Sequence, residues 1–157
     1  MRLTASICFS AGKMTECTYL VKSISFLGRS TRIVTQNMNG PCPLLSLINV
    51  LLLKNAISLP SFEEETIREE TLLSLVAQYL LDANDRSDQG SGGAVDQNLR
   101  QNISDAMSLL PKLREGLDIN VRFRSIEDME YTQELTVFDL ADIRLVHGWV
   151  VDPQVEI

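Results

Sequence analysis

One stretch of the chain limits the fold more than any other. Over Pro43-Leu44-Leu45-Ser46-Leu47-Ile48-Asn49-Val50-Leu51-Leu52-Leu53 the apolar positions 44, 45, 47, 48, 51 and 52 recur at helical spacing. A helix that is apolar around most of its girth has no solvent face, so other elements must cover it. Ser46 and Asn49 break the run, and it is far shorter than the roughly 20 residues that cross a bilayer. Pro43 suits the first helical turn, where a missing N–H costs nothing. Immediately upstream, Asn39-Gly40-Pro41 is turn chemistry. A tight turn therefore hands the chain to the N-terminus of a buried helix, and Cys42 stands at the junction.

Covering such a helix needs a real core. The chain has 157 residues, 45% apolar and 22% charged, which suits one domain that buries roughly 68–70% of its unfolded surface. That composition excludes a disordered tail, a collagen-like rod and a disulfide scaffold. The net charge of −7, from 14 basic and 21 acidic residues, disfavours nucleic acid and anionic membranes as partners. Cys8, Cys17 and Cys42 form no CxxC pair, and there is one histidine. A zinc cage would lack ligands, so no metal and no cofactor is expected. An odd number of cysteines without such a pair favours a reducing compartment, cytoplasmic with the nucleus as the alternative. Residues 1–16 lack periodicity and match a signal peptide weakly; they read as a loose N-terminal segment.

Along the chain, residues 17–35 read as two short strands with a turn at Gly28-Arg29-Ser30. After the apolar helix, Pro60-Ser61 opens a second one, with Ser61 and Glu64 as a capping box and Glu63-Glu64-Glu65 against the positive helix end. Leu72, Leu75, Val76, Tyr79 and Leu80 form its core stripe, and it ends near Asn84. A glycine-rich loop over 84–93 leads to a third helix, about Asp96 to Leu110, with Leu99, Ile103, Ala106 and Leu110 on one face. Residues 117–123 alternate like a strand, 126–132 read as an acidic loop, 135–145 are weakly patterned, and 147–154 read as a strand or turn. Strands, then helices, then strands makes the class α+β.

The chemistry centres on Cys42. A thiol at the head of a helix meets the positive end of the helix dipole, which favours the nucleophilic thiolate. Backbone N–H groups there can hold a developing oxyanion, and the carboxamide of Gln36, six residues earlier, can supply a second donor. The bland reading is a buried structural cysteine, since free cysteine is often buried. The Gly40-Pro41-Cys42-Pro43 context, directly before an apolar helix, favours the catalytic one.

These residues resemble a known family. Gln36-Asn37-Met38-Asn39-Gly40-Pro41-Cys42-Pro43-Leu44-Leu45 is similar to the catalytic-cysteine motif of the MINDY deubiquitinases. Further matches are Gly116 to Phe123, Asp128 to Thr132, Phe138-Asp139-Leu140, and His147-Gly148-Trp149-Val150-Val151-Asp152-Pro153-Gln154, in the same order and spacing. The resemblance implies a papain-like cysteine protease core over 17–157, with Cys42 as nucleophile and Gln36 as the oxyanion-hole side chain. It implies ubiquitin and polyubiquitin as partners, lysine-forty-eight-linked chains preferred, and acyl transfer through a thioester. It also places the family's catalytic histidine in a segment C-terminal to His147-Gly148-Trp149, so the chain reads as a partial domain, incomplete at its C-terminal end. His147 then reads as a structural histidine beside Trp149 or as a substitute base.

Asp118, Ile119 and Trp149 match positions that the family uses to hold ubiquitin; the alternative is that Ile119 and Trp149 are core. Glu63-Glu64-Glu65 and Glu69-Glu70 read as a solvated helix face. A second functional reading is a catalytically inactive ubiquitin-binding module that keeps Cys42 by descent.

Overall fold

Strand β1 (Thr18–Phe26) returns as β2 (Arg29–Thr35) through a two-residue turn, Leu27-Gly28. Both turn residues have positive φ, 50° and 77°, as in the primed hairpin turns whose twist matches that of the strands they join. Arg29 and Ser30, expected in the turn, already pair with Phe26 and Ser25. The computed structural model in which this hairpin is seen describes residues 17–37, 42–60, 64–85 and 94–148. The expectations for 1–16, 38–41, 61–63, 86–93 and 149–157 lie outside them.

The hairpin is two-thirds of a sheet. A third strand, β3 (Thr66–Arg68), pairs antiparallel with the other edge of β1, giving the order β2-β1-β3. The capping pattern predicts a helix opening at Pro60-Ser61, but in the structure helix α2 starts only at Glu69 and runs to Asp85. Thr66 and Ile67 are β-branched and stiff at χ1, which suits a strand. Ile67, opposite Tyr19, is buried against the core. Glu69 and Glu70, rather than residues 63–65, occupy the first turn, where carboxylates meet the positive end of the helix.

Helix α1 (Pro43–Leu53) is the apolar helix the sequence demanded, with Pro43 in its first turn. Leu44, Leu45, Leu47, Ile48, Leu51 and Leu52 are all buried. It lies against β2 and against a 3-10 turn at Leu110–Arg114. Helix α2 turns Leu72, Val76 and Leu80 inward with no exposed surface, and Leu75 and Tyr79 pack partly buried beside them. Helix α3 (Ala94–Leu109) adds Ala106 and Leu109 to the same core, and α4 (Leu135–Leu140) adds Val137 and Phe138. The architecture is mixed, a small antiparallel sheet with helices, in keeping with the α+β expectation.

The strand expected over 117–123 does not form. Only an isolated bridge, Val121 to Met129, is present there. Around it Arg122 N–H donates to Asp128 C=O and Glu130 N–H to Asn120 C=O. Ion pairs between Arg122 and Glu130 and between Arg124 and Asp128 hold the loop from outside. Alternation alone cannot make a strand when the segment finds one short partner and half its side chains stay in water. The weak pattern at 135–145 resolves into α4 followed by irregular chain, and His147 and Gly148 belong to no regular element.

The burial of α1 sets an expected result. Leu47 is 1% exposed, so Leu47→Ala should cost about 2–5 kcal/mol through lost burial and a residual cavity. Leu27→Ala, at a position 88% exposed, should stay within about 0.5 kcal/mol. Urea unfolding would show the first as a lower midpoint with unchanged slope.

Candidate active site

Cys42 is the last residue before α1, with φ −129° and ψ 88°. Its carbonyl accepts the Ser46 N–H at 3.0 Å and so starts the helical ladder. The side chain is a half-buried free thiol packed on the core. The Leu45 and Leu44 N–H groups in the first turn act on the sulfur to lower its pKa, although neither closes a capping hydrogen bond. Burial outweighs them, and the thiol is pushed above its ordinary range. This corrects the sequence reading. The helix end favours the thiolate as expected, but desolvation penalises the charged form more.

A polar cluster that no sequence motif marks acts on the thiol through its charges. Glu69, the first residue of α2, is its hub. Tyr19 Oη donates to Glu69 Oε2 at 2.7 Å, and Arg114 Nη1 donates to Glu69 Oε1 at 3.0 Å. The Glu69 N–H donates to the Cys17 carbonyl at 2.9 Å, where β1 begins. With its side chain 12% exposed, Glu69 is not the solvated helix residue expected; Glu70, one position on, is exposed. Burial, the Glu69 hydrogen bond and the Glu69 charge all push the Tyr19 phenol up. Burial works to lower the Arg114 guanidinium, and the charge and hydrogen bond of Glu69 more than reverse it. Among charges, Glu69 raises the Cys42 thiol and Arg114 lowers it. No motif marks residues 19, 69 and 114, because they come from three elements that only packing brings together.

Gln36 follows β2 directly and is exposed. Its neighbour Asn37 donates from Nδ2 to the Thr18 carbonyl. The end of β2 is tied to α1 by Asn49, whose Oδ1 accepts the Val34 N–H at 2.8 Å and whose Nδ2 donates to the Val34 C=O at 2.8 Å. At the start of the strand the Arg29 guanidinium donates to the Leu53 carbonyl, at the helix end. Gln36 and Cys42 thus stand at the ends of two elements fastened to each other.

Asp118 is exposed and Ile119 half-buried, just beyond Arg114; Trp149 lies outside the described residues. His147 is held in the loop of the Arg124–Asp128 ion pair. Its Nε2 lies 2.9 Å from the Ser125 carbonyl, its backbone N–H donates to the Ile126 carbonyl at 2.9 Å, and its ring meets Phe123 edge-on at 5.8 Å. Trp149, beside which a structural role is expected of His147, lies outside the described residues, and these contacts are with Ser125, Ile126 and Phe123. Among the described residues no three His, Cys, Asp or Glu side chains could hold a metal ion. No described helix is long and apolar enough to cross a membrane.

A mixed α/β domain built round a cysteine at the head of a buried helix is thus in view. Residues 17–157 match the family model described as MINDY deubiquitinase, and the chain belongs to that family. It is 45% identical to ubiquitin carboxyl-terminal hydrolase MINDY-1 of Danio rerio over 87% of its own length and 25% of the relative's. With human MINDY-1 the identity is 46%, over 87% of this chain and 28% of the relative. With human MINDY-2 it is 46%, over 90% and 22%. The chain therefore spans about a quarter of the length of the curated relatives it matches.

The electrostatics predict a pH profile. Alkylation of Cys42 by iodoacetamide follows the thiolate fraction, so its rate should rise with pH through an inflection above that of free cysteine, roughly 8.5. Glu69→Gln removes a charge that disfavours the thiolate and should move the inflection down. Arg114→Met removes one that favours it and should move the inflection up. Mass spectrometry of the Cys42 peptide against time and pH reads both.

Proposed function

We propose that this chain carries the nucleophile and oxyanion donor of a cysteine-type deubiquitinase that hydrolyses isopeptide bonds in polyubiquitin, lysine-forty-eight-linked chains preferred. The observation that carries the reading is the place of Cys42: a half-buried thiol at the N-terminus of α1, facing the first-turn N–H groups, in a chain of this family. A papain-like core, with its cysteine at the head of a central helix, belongs to the same proposal.

Cys42 Sγ attacks the carbonyl carbon of ubiquitin's C-terminal glycine and loses its proton to a base. The carbonyl oxygen becomes an oxyanion held by the Gln36 side-chain N–H and by backbone N–H groups at the head of α1. The lysine amine leaves with a proton, and a thioester remains. Water then attacks the thioester, freeing the ubiquitin carboxylate and the Cys42 thiol. Because burial raises the thiol's pKa above its ordinary range, a base must take its proton as the attack proceeds. The family pattern assigns that task to a histidine C-terminal to His147, and the contacts of His147 with Ser125 and Phe123 suit a structural residue. Asp118, Ile119 and Trp149 contribute to holding ubiquitin. The thiol of Cys42 suits a reducing compartment such as the cytosol.

The raised thiol pKa favours a second reading, in which the chain binds ubiquitin without turning it over. One experiment separates them: intact mass after incubation with ubiquitin bearing a C-terminal electrophile. An adduct with the parent chain and with His147→Ala, but none with Cys42→Ala, is the expected result. Loss of the adduct in His147→Ala would make that residue the base. No adduct from a folded chain that still binds ubiquitin would establish the binding module. In hydrolysis of lysine-forty-eight-linked diubiquitin, Gln36→Ala should slow the reaction by roughly 10²–10³-fold, as loss of one oxyanion donor does.

A further inference from the structure

Asn49 sits where burial alone would ask for leucine. Its neighbours Ile48, Leu51 and Leu52 are buried, and asparagine is a poorer helix former than leucine because its amide competes for backbone partners. The structure shows what the amide does. It accepts from the Val34 N–H and donates to the Val34 C=O, both at 2.8 Å. Val34 lies opposite Val21 on β1, and these two backbone groups are turned to the other edge of β2. A carboxamide there makes the same pair of bonds that another strand would. Aspartate would lack the donor and leucine would lack both groups, so the position is chemically specific.

The joint lies next to the chemistry. Arg29 at the start of β2 meets Leu53 at the end of α1, and Val34 near the end of β2 meets Asn49 in its middle. The two elements therefore run antiparallel. From the Val34–Asn49 joint, two residues of extended chain lead on to Gln36, about 7 Å. In the same direction, seven residues of helix lead back to Cys42, about 10.5 Å. Two arms of comparable reach leave one joint and end at the oxyanion donor and the nucleophile. A slip of α1 along β2 would change their separation directly, and misplacement by about 1 Å can cost 10²-fold in rate.

We propose that Asn49 is a positioning residue: its paired hydrogen bonds to Val34 set the register of α1 on β2 and so the approach of the Gln36 carboxamide to the Cys42 thiol. The inference rests on the reading of Cys42 and Gln36 as nucleophile and oxyanion donor, and its test separates the two. In ¹⁵N-labelled full chain, Cys42 is alkylated with iodoacetamide, and the NMR shift of the Gln36 side-chain amide is followed. The parent protein should show a shift. Asn49→Ala should lose it, and so should Asn49→Asp, which keeps the acceptor but not the donor and serves if the alanine variant does not fold. Leu109→Ala, a core truncation in α3, should keep it, because loss of stability alone does not move the joint.

A response undiminished in both Asn49 variants, or lost equally in Leu109→Ala, overturns the positioning role. No response in the parent protein overturns the pairing of Gln36 with Cys42 and the positioning role together. Diubiquitin hydrolysis gives the functional arm. Asn49→Ala should lower kcat by up to about 10²-fold, with no further loss in the Gln36→Ala background. Independent, additive losses would mark a merely structural residue. If the parent chain does not hydrolyse diubiquitin, the NMR comparison alone decides the role of Asn49.

Discussion

The burial of α1 is the constraint on which the rest depends. Leu44, Ile48 and Leu51 have no exposed surface, so the helix can exist only with β2 on one side and the 3-10 turn Leu110–Arg114 on another. That same enclosure makes the site. It brings Arg114 to Glu69, holds the end of β2 against the helix through Asn49, and leaves the first residue of the helical ladder, Cys42, half-covered.

Cys42 shows how two effects of one position compete. The head of a helix offers N–H groups that favour a thiolate, but a helix this apolar takes its head into the core with it. Desolvation then costs the anion more than the first-turn N–H groups return. Glu69 adds to that penalty and Arg114 offsets part of it. Because the Tyr19 phenol and the Arg114 guanidinium converge on one carboxylate, the charge that acts on the thiol is fixed in place rather than free in solvent. A thiol whose pKa is raised in this way gives up its proton less readily than a free cysteine does.

Where the sequence succeeded, the information was local. The hairpin, α1 with its proline start, the Leu72-Val76-Leu80 stripe of α2 and the body of α3 each carry their own periodicity. It failed where the outcome hung on a distant partner. Thr66–Arg68 became a strand because β1 had a free edge. Residues 117–123 did not, because only Met129 came to meet Val121. Glu69 passed for a surface residue in an acidic run, and nothing within that run says that Tyr19 and Arg114 will reach it.

By itself the sequence determined which helix must be buried, which cysteine stands at its head and which family the surrounding motifs resemble, since each of these is written in neighbouring residues. Only the tertiary structure decided which way the pKa of that cysteine moves, which carboxylate acts on it and where Asn49 ties α1 to β2. Desolvation, ion pairing and hydrogen-bond register depend on what packs against a residue, and residues 19, 34, 49, 69 and 114 meet only once the chain has folded.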